Sequence, residues 1–272
     1  MAKSSERLDK LLLDRGLTSS RERAQALIME GKVLVDGQKA SKAGQKTALD
    51  AEIQLAGEDL PFVSRGGLKL QHALDAFAVD IRGLAAMDIG ASTGGFTDCM
   101  LQRGVRRVYA IDVGYGQLAW KLRQDPRVVA IERQNIRSLP VELIPEPIDL
   151  AVIDASFISL KIVIPAALPF LTGKAPRLIA LIKPQFEAGR EIVARGGGVV
   201  RDPNVHEEVC ATIVDFCKGL GLRVAGVEPS PILGPKGNRE FLMLAERLEP
   251  ASGDQDASAP GPPPVSSTTT EN

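Results

Sequence analysis

The fold is decided by the stretch Met87-Asp-Ile-Gly-Ala-Ser-Thr-Gly-Gly-Phe-Thr97. It reads as an apolar strand, a glycine-rich loop and the start of a helix. The glycines at 90, 94 and 95 allow the backbone to approach a ligand closely. The stretch therefore predicts a ligand-binding turn at the carboxyl end of a strand in an α/β sheet.

Two common nucleotide-binding loops do not fit this spacing. A P-loop requires Lys after its last glycine, and Phe96 stands there, so we exclude binding of a nucleoside triphosphate. A dinucleotide-binding loop has the spacing GxGxxG, whereas the spacing here is GxxxGG. This wider loop suits an amino-acid moiety, and a nicotinamide enzyme stays open as a disfavoured alternative.

Apolar strands alternate with helical stretches from about residue 83 onward, which predicts a doubly wound parallel sheet. The predicted parallel strands are 84–89, 105–113, 128–131, 148–153 and 178–182. Two further strands, 222–227 and 240–244, are separated by a Pro/Gly-rich turn with no room for a crossover helix, so we expect them to pair antiparallel. Seven strands that end in an antiparallel pair are similar to the sheet of class I methyltransferases.

Polar residues after the second and third strands indicate an adenosine ligand. Asp112 ends the second strand at a position from which a carboxylate can accept both hydroxyls of an adenosine ribose. NAD and S-adenosylmethionine share that ribose, so Asp112 does not choose between them. Asn135 could contact the adenine edge or only cap a turn, and both interpretations stay open.

Four charged residues are predicted to surround one crevice. Asp154 and Lys183 each follow a predicted parallel strand, and the ligand crevice of such a sheet lies at the carboxyl ends of its strands. Glu240 opens the last strand, and Lys69 lies just before the sheet. One such residue is often only a helix cap or a surface charge. Two lysines and two carboxylates together indicate an active site.

The first sixty residues predict a small separate module. An apolar face at helical spacing predicts one helix, and a capping box formed by Ser19 and Glu22 opens a second helix that stops at Gly31. Short strands are expected at 32–37, which runs into an Asp-Gly turn, and at 52–55.

Charge is distributed unevenly along the chain. The net charge of -1 gives no support for a nucleic-acid partner. Residues 1–49, however, contain ten Lys and Arg against six Asp and Glu, a balance of +4. Arg21 and Arg23 lie at the start of the second helix, where basic side chains and exposed amides would face a phosphate. A solvated helix face is the alternative interpretation.

Three further features concern the chain's environment. The tail, 249–272, is acidic and rich in Pro, Ser and Thr, so we predict that it is disordered. No run approaches the roughly 20 apolar residues that cross a bilayer, and we expect a cytoplasmic protein. Cys99, Cys210 and Cys217 lack the spacing of a zinc site and are interpreted as reduced core thiols.

Two groups of motifs resemble known families. Three segments resemble the S4 RNA-binding domain: Arg7-Leu-Asp-Lys-Leu-Leu, Ser20-Arg-Glu-Arg-Ala and Gly31-Lys-Val-Leu-Val-Asp-Gly37. Five further segments resemble the TlyA family: Val63-Ser-Arg-Gly-Gly-Leu-Lys69, Asp88-Ile-Gly-Ala-Ser-Thr-Gly-Gly-Phe-Thr-Asp98, Asp154-Ala-Ser-Phe-Ile-Ser159, Ile182-Lys-Pro-Gln-Phe-Glu187 and Gly234-Pro-Lys-Gly-Asn-Arg-Glu240. That family joins an S4 domain to an FtsJ-like methyltransferase, and its members are described as ribosomal RNA cytidine-2'-O-methyltransferases or, in older usage, as haemolysins.

The resemblance implies the residues of the site. The FtsJ-like Lys-Asp-Lys-Glu catalytic tetrad carries over to Lys69, Asp154, Lys183 and Glu240. S-adenosylmethionine would be bound by Asp88, Gly90, Ala91, Ser92, Thr93, Gly94, Gly95, Phe96, Asp112 and Asn135. RNA would be contacted by Arg7, Lys10, Arg21, Arg23, Lys32 and Arg65. No metal is required.

A mechanism follows from the methyl donor that the resemblance implies. The sulfonium carries an activated methyl, so the protein must align a hydroxyl and manage one proton and a developing oxyanion. Lys183 would touch the 2'-hydroxyl, as a base if neutral or as an oxyanion stabiliser if charged, and the sequence leaves this open. Lys69 would hold phosphate or share the network, and Glu240 would orient a lysine. Phe157 and Phe186 could stack a base or pack in the core.

The leading hypothesis is a monomeric, S-adenosylmethionine-dependent 2'-O-methyltransferase that acts on 16S and/or 23S ribosomal RNA, free or in ribosomal subunits. The alternatives are a NAD-type oxidoreductase with an accessory domain and a membrane-active haemolysin, for which the sequence offers no basic amphipathic helix. The predicted domains are 1–60, S4-like; 61–82, a linker and lead-in helix that carries Lys69; 83–248, FtsJ-like methyltransferase; and 249–272, the tail.

Overall fold

The computed structural model describes residues 5–18, 20–29, 31–55 and 60–247. The predicted disordered tail at 249–272 and the predicted cap Ser19 lie outside these residues. Among the helices described, none combines the length and the apolar character that a membrane crossing requires.

Residues 5–55 form an N-terminal module of two helices and two small sheets. Its elements in chain order are β1 (Ser5–Arg7), α1 (Leu8–Asp14), α2 (Arg21–Met29), β2 (Val33–Val35), β3 (Gln38–Lys39), β4 (Lys46–Ala48) and β5 (Ile53–Leu55). Strand β2 pairs antiparallel with β3 across the Asp-Gly turn and with β5 on its other side. Both predicted helices and both predicted strands are present. The sequence did not predict β1, β3 or β4, because two or three residues are too few to show an alternating pattern.

The module has a hydrophobic core of its own. Leu8 and Leu12 of α1 pack with Leu27 and Ile28 of α2, and all four are almost fully buried. Leu8 and Leu12 are four residues apart, and Leu27 and Ile28 lie three and four residues after the buried Ala24, so each set lies on one face of its helix. Packing of the two faces excludes water from both.

The beginning of α2 is capped by Ser20. The Ser20 hydroxyl oxygen accepts a hydrogen bond from the Arg23 amide at 3.1 Å. A serine that accepts from the third helical residue occupies the N-cap position. Ser20 therefore caps α2, whereas Ser19 of the predicted capping box lies outside the described residues.

Residues 60–247 form a three-layered α/β domain. Its elements are α3 (Gly66–Ala76), β6 (Ala85–Ile89), α4 (Gly95–Gln102), β7 (Arg107–Asp112), α5 (Trp120–Arg123), β8 (Val128–Glu132), β9 (Leu150–Ile153), α6 (Leu160–Ala167), β10 (Arg177–Ile182), α7 (Pro184–Glu187), α8 (Arg190–Arg195), α9 (Pro203–Gly219), β11 (Leu222–Pro229) and β12 (Phe241–Arg247). Short 3₁₀ turns cover Ile136–Ser138, Val141–Leu143 and Pro235–Gly237.

The large sheet has seven strands in the order β11-β12-β10-β9-β6-β7-β8. The five strands from β10 to β8 are parallel, whereas β12 runs antiparallel to both of its neighbours. All seven predicted strands and the antiparallel final pair are confirmed. From β6 the chain continues to β7 and β8 on one side and then crosses to β9 on the other side of β6. A ligand crevice is expected at such a switch point.

Both faces of the sheet are covered. Met87 and Ile89 of β6 point into one hydrophobic cluster, which includes α6 and α9, and Ala86 points into the other, which includes α3 and α4. Alternation along a strand explains this division. Because parallel strands are buried on both faces, they appear in the sequence as continuous apolar runs.

Helix α3 brings Lys69 to the edge of the sheet. Leu70, Ala73 and Leu74 of this helix are buried against the second cluster. A β-carbon at Gly67 would lie 2.3 Å from the Phe62 ring, so the helix begins in close contact with the segment before it. This packing fixes the helix so that Lys69, itself buried, faces the carboxyl ends of the strands.

Candidate active site

A cleft of about 920 Å³ opens at the carboxyl ends of β6, β9 and β10. Its walls are the loop after β6, the start of α3, the ends of β9 and β10, and the turn that precedes β12. The volume lies within the range of cavities that bind small molecules and cofactors. A much smaller cavity of about 110 Å³, between α7 and α9, lies away from the predicted site residues.

The loop after β6 runs close to other parts of the backbone. Gly90 has a φ of +85°, and a β-carbon there would lie 2.9 Å from the main-chain oxygen of Asp154. A β-carbon at Gly95 would lie 2.2 Å from the Ser64 hydroxyl. The loop conformation therefore requires glycine at these positions, as its sequence indicated.

Asp88 presents an unsatisfied oxygen at the base of the cleft. Its side chain is fully buried, and Oδ2 accepts a hydrogen bond from the Thr97 hydroxyl at 2.6 Å. Oδ1 is buried with no hydrogen-bond partner in the described part of the chain. Burial raises the pKa of Asp88 to about 7, although the Thr97 hydrogen bond opposes the change. Buried polar atoms are normally hydrogen-bonded, so this oxygen is a candidate acceptor for a hydrogen-bond donor of a bound ligand.

Lys183 and Asp154 form an ion pair at the ends of β10 and β9. The Lys183 Nζ lies 2.5 Å from Asp154 Oδ1 and donates to the Ser156 hydroxyl at 3.0 Å. Lys183 is only 7% exposed, and Pro184 directly after it begins α7. The ammonium also donates to the Asp154 main-chain oxygen at 3.4 Å, so three oxygens hold it in one orientation.

Lys69 and Glu240 form a second, more deeply buried ion pair. The Lys69 Nζ lies 2.6 Å from Glu240 Oε2, and the Gln185 amide donates to Glu240 Oε1 at 3.3 Å. Glu240 is 1% exposed. Gly234 leaves the space for this carboxylate, since a β-carbon there would lie 2.1 Å from Glu240 Oε1.

The four predicted catalytic residues thus line one cleft as two lysine–carboxylate pairs. Their roles stay predictions. Sequence reasoning missed Ser156 and Gln185, which contact these pairs. The only signal available was their position, two residues after Asp154 and two residues after Lys183.

Seven of the ten predicted cofactor-binding residues line the cleft: Asp88, Gly90, Ala91, Ser92, Thr93, Gly95 and Phe96. Gly94 lies beneath the loop instead, where a β-carbon would be 2.3 Å from the Leu122 side chain. Asp112 and Asn135 also lie outside the lining.

Asp112 holds the glycine loop in place. Its Oδ2 accepts from the Ser92 amide and its Oδ1 from the Gly114 amide, both at 2.7 Å. Asn135 is exposed, and its side-chain oxygen accepts from the Arg137 amide at 3.1 Å. Of the two interpretations of Asn135, the turn cap is therefore present, and contact with adenine stays a prediction.

Phe157 directly follows Ser156, which lines the cleft. Its side chain is 91% exposed, which excludes core packing, and its φ is +64°, a conformation that a bulky residue rarely adopts. Its ring lies 5.1 Å from the Phe186 ring, centroid to centroid. The Phe186 ring in turn lies 5.8 Å from the Lys183 Nζ, so an exposed aromatic surface extends outward from the ion pair.

The predicted RNA-contacting residues fall into two groups. Lys32 and Arg65 line the cleft, and Arg65 donates to the Leu233 main-chain oxygen at 3.3 Å. The second group lies on β1, α1 and α2 of the N-terminal module and consists of Arg7, Lys10, Arg21 and Arg23.

Two family models match this chain. The FtsJ-like methyltransferase model matches residues 62–247, and the S4 domain model matches residues 6–53. The chain belongs to the FtsJ-like methyltransferase family. The matched S4 region corresponds to the N-terminal module, which we now call the S4 domain, and the matched FtsJ-like region corresponds to the α/β domain.

Relatives of this FtsJ-like methyltransferase are similar along most of its length. YqxC of Bacillus subtilis, named as a candidate rRNA methyltransferase, is 47% identical over 244 residues, which cover 89% of this chain and 86% of YqxC. TlyA of Mycobacterium tuberculosis H37Rv, named as a 16S/23S rRNA (cytidine-2'-O)-methyltransferase, is 44% identical over 259 residues, which cover 92% of this chain and 95% of TlyA. The resemblance to the TlyA family is confirmed.

A solved structure from Streptococcus thermophilus, described as a candidate hemolysin, shares the fold. Its TM-score is 0.69 at 45% identity, and the match covers 91% of this chain and 90% of that one. The predicted architecture, an S4 domain followed by a class I methyltransferase sheet, is confirmed.

Proposed function

We propose that this chain is an S-adenosylmethionine-dependent methyltransferase that modifies a ribose 2'-hydroxyl of ribosomal RNA, at cytidine. The observation that carries this proposal is the presence of two lysine–carboxylate pairs beside a glycine loop in one cleft. The names of YqxC and TlyA support ribosomal RNA as the substrate, and that of TlyA supports cytidine.

The residues of the cleft fit S-adenosylmethionine. Its ammonium group is the kind of donor that the unsatisfied Asp88 Oδ1 calls for, and the glycine loop lets the backbone approach a ligand. Each oxygen of Asp112 accepts one amide and keeps a second lone pair for a ribose hydroxyl. We assign the adenine edge to Asn135. When bound, S-adenosylmethionine supplies a methyl group that its sulfonium activates for transfer.

Lys183 is assigned to the reacting hydroxyl. The contacts with Asp154 and Ser156 pair the Lys183 side chain with a carboxylate and a hydroxyl and fix its direction. A fixed ammonium at the 2'-oxygen stabilises the negative charge that develops there as the hydroxyl passes its proton to solvent water. Of the two roles that the sequence left open, these contacts support the oxyanion stabiliser.

Lys69 and Glu240 are assigned to the adjacent part of the nucleotide. Since Glu240 is buried and shared between Lys69 and Gln185, it holds the lysine against the wall of the cleft. A lysine held in this way presents its remaining ammonium protons to a phosphate without a further loss of side-chain freedom.

Phe157 is assigned to the base of the target nucleotide. A ribose next to Lys183 carries a base that must leave its helical stack to enter the cleft. Exposed aromatic rings stack such bases. The exposed Phe157 ring, backed by Phe186, provides that surface beside the ion pair.

The central experiment replaces Lys183. In the full chain, Lys183→Ala is expected to reduce methylation of ribosomal RNA about 100-fold or more, because the stabiliser of the developing oxyanion is lost. Primer extension at low nucleotide concentration detects the modified ribose, and calorimetry is expected to give an unchanged Kd for S-adenosylmethionine. Lys174→Ala, which removes the same charge from an exposed site before β10, is the matched control.

Two outcomes are distinguishable. Full methylation by Lys183→Ala overturns the role of Lys183. If the wild-type protein produces no new primer-extension stop on either 16S or 23S RNA, the proposed function itself is wrong.

Neither alternative is favoured. The GxxxGG loop and the family assignment support S-adenosylmethionine rather than NAD, and the same assignment supports an enzyme rather than a haemolysin. As part of the same proposal, we place a monomeric enzyme in the cytoplasm, the compartment of its RNA.

A further inference from the structure

A buried carboxylate lies under two arginines of the S4 domain. Asp9, near the start of α1, is 0% exposed. Arg7 donates to it from Nε at 3.0 Å and from Nη2 at 2.9 Å. Arg21 Nε on α2 donates to the same carboxylate at 3.0 Å, and Gln25 donates at 2.9 Å. One carboxylate thus connects β1 with α2 through four hydrogen bonds.

The backbone around Asp9 is held by the turn at 43–45. The Asp9 amide donates to the Ala43 oxygen at 3.1 Å, and the Leu8 amide donates to the Gln45 oxygen at 3.0 Å. Between these contacts, Gly44 leaves room for the Arg7 guanidinium, since a β-carbon there would lie 3.0 Å from Arg7 Nη1. The guanidinium is therefore fixed by Asp9 on one side and by the turn on another.

The cluster carries a net positive charge at the surface. The hydrogen bonds from Arg7 hold the pKa of Asp9 well below its usual range, so this group stays a carboxylate. Two guanidiniums against one carboxylate leave a charge of about +1. Both arginine side chains are 46% exposed. A guanidinium has five N–H donors, so donors remain on each arginine beyond those that Asp9 accepts.

We propose that Asp9 is a positioning residue that holds Arg7 and Arg21 as a clamp for a phosphodiester group of RNA. The inference rests on the proposed function, which makes RNA the substrate. Arginine binds phosphate with paired, charge-assisted hydrogen bonds, and a side chain already held in place loses less freedom on binding. The competing interpretation is a purely structural ion pair between β1 and α2.

The direction in which one substitution changes the affinity for RNA separates a purely electrostatic effect of Asp9 from a positioning role. Asp9→Asn removes a negative charge from an RNA-binding face, and on charge alone this tightens the binding of RNA. If Asp9 positions the arginines, the same change weakens binding, because the clamp loses its geometry. We expect a roughly tenfold weaker Kd, the equivalent of one charge-assisted hydrogen bond.

Glu6→Gln is the matched control. Glu6 lies three residues before Asp9 and accepts from Lys10 at 2.7 Å and from the Arg7 main-chain amide at 2.9 Å, an acceptor that glutamine keeps. No hydrogen bond or ion pair joins Glu6 to either guanidinium of the clamp among the interactions described. The substitution removes one negative charge from the same face, so RNA binding is expected to stay equal or become tighter. The probe is ribosomal RNA titrated against the full chain at several salt concentrations. Calorimetry with S-adenosylmethionine and circular dichroism verify that both variants are folded.

A second variant decides the case if Asp9→Asn unfolds the S4 domain. Arg21→Lys keeps the charge but cannot meet Asp9 through a guanidinium edge and pair with a phosphate at the same time. It is expected to weaken RNA binding while leaving the salt dependence nearly unchanged. Arg103→Lys is its control, since Arg103 pairs with Asp75 in the methyltransferase domain.

The outcomes are clear. The clamp is overturned if a folded Asp9→Asn protein, or Arg21→Lys, binds RNA as tightly as the wild-type protein does. Failure of the unmodified chain to bind ribosomal RNA is a failure of the proposed function instead.

Discussion

Asp88 shows how a single residue links the fold to the ligand. Burial raises its pKa to about 7, whereas in the unfolded chain the same carboxyl titrates near 4. Between these values the folded protein keeps a proton that the unfolded chain has lost. The stabilising contribution of this group is therefore complete below about pH 4 and is lost as pH rises through about 7.

The same residue makes cofactor binding dependent on pH. A cationic ammonium at Asp88 Oδ1 favours the carboxylate, so binding of S-adenosylmethionine should release a proton near neutral pH and become tighter as pH rises from about 6 to 8. Calorimetry in two buffers of different ionisation enthalpy measures the released protons. Asp88→Asn should abolish the release, and a release equal to that of the unmodified chain would count against Asp88 as the contact.

Phe157 combines an exposed ring with a strained backbone, and the two features predict opposite effects of one substitution. Phe157→Gly should raise the free energy of unfolding by about 1 kcal/mol, because glycine adopts a positive φ without strain. The same change should reduce methylation of RNA, because the ring that stacks the base is gone. Thermal unfolding and primer extension measure the two effects.

Ala78→Gly is the control for this experiment. Ala78 is also a non-glycine residue at positive φ, +51°, and it lies after α3, away from the cleft. This variant should gain stability and keep its activity. If Phe157→Gly behaves in the same way, the base-stacking role is wrong.

At the scale of elements, the loop between β6 and α4 depends on glycine for two separate reasons. Gly90 lies in this loop, and Gly83, which precedes β6, serves as the comparison. Both have a positive φ, +85° at Gly90 and +74° at Gly83. Only Gly90 also lies against another chain segment, the Asp154 carbonyl, whereas a β-carbon at Gly83 would meet nothing within 4 Å. The pair therefore separates backbone strain from close approach.

Gly90→Ala should lower the free energy of unfolding by more than the roughly 1–2 kcal/mol expected for strain alone, because the end of β9 must also move. It should abolish binding of S-adenosylmethionine, since that movement displaces Asp154 and the loop. Gly83→Ala should show only the strain. Chemical denaturation and calorimetry test both variants, and equal effects would refute the distinction.

Element positions were predictable wherever a local pattern was long enough. The seven strands of the large sheet were predicted because each is an apolar run bounded by polar or glycine-rich turns. Strands β1, β3 and β4 were not, since each has only two or three residues, too few to show an alternating pattern.

At the scale of the whole molecule, the S4 domain and the methyltransferase domain bury separate hydrophobic cores. Deletion of residues 1–60 should therefore leave the large sheet and the Kd for S-adenosylmethionine intact. It should weaken RNA binding and reduce its salt dependence, since the basic residues of the S4 domain are lost. Filter binding at several salt concentrations measures this, and unchanged RNA affinity would contradict a gripping role for the domain.

The S4 match, 6–53, lies within the predicted S4 segment, 1–60, whereas the FtsJ-like match, 62–247, includes most of the predicted linker and lead-in helix at 61–82 as well as the predicted methyltransferase segment up to residue 247. The boundary at residue 60 and the disorder of the tail stay predictions. Lys32 of the S4 domain lines the cleft of the other domain, so the deletion also removes one basic group from the site.

The sequence by itself determined the order of the strands along the chain, the glycine loop and the residue types around the cleft, because these follow from local spacing and backbone sterics. Only the tertiary structure decided which charges meet. Lys69 and Glu240 are separated by 171 positions in the chain, and Asp9 gathers Arg7, Arg21 and Gln25 from two elements. It also decided that Phe157 faces solvent rather than the core. Such contacts depend on how packed elements are oriented in space, and no local pattern of residues encodes that orientation.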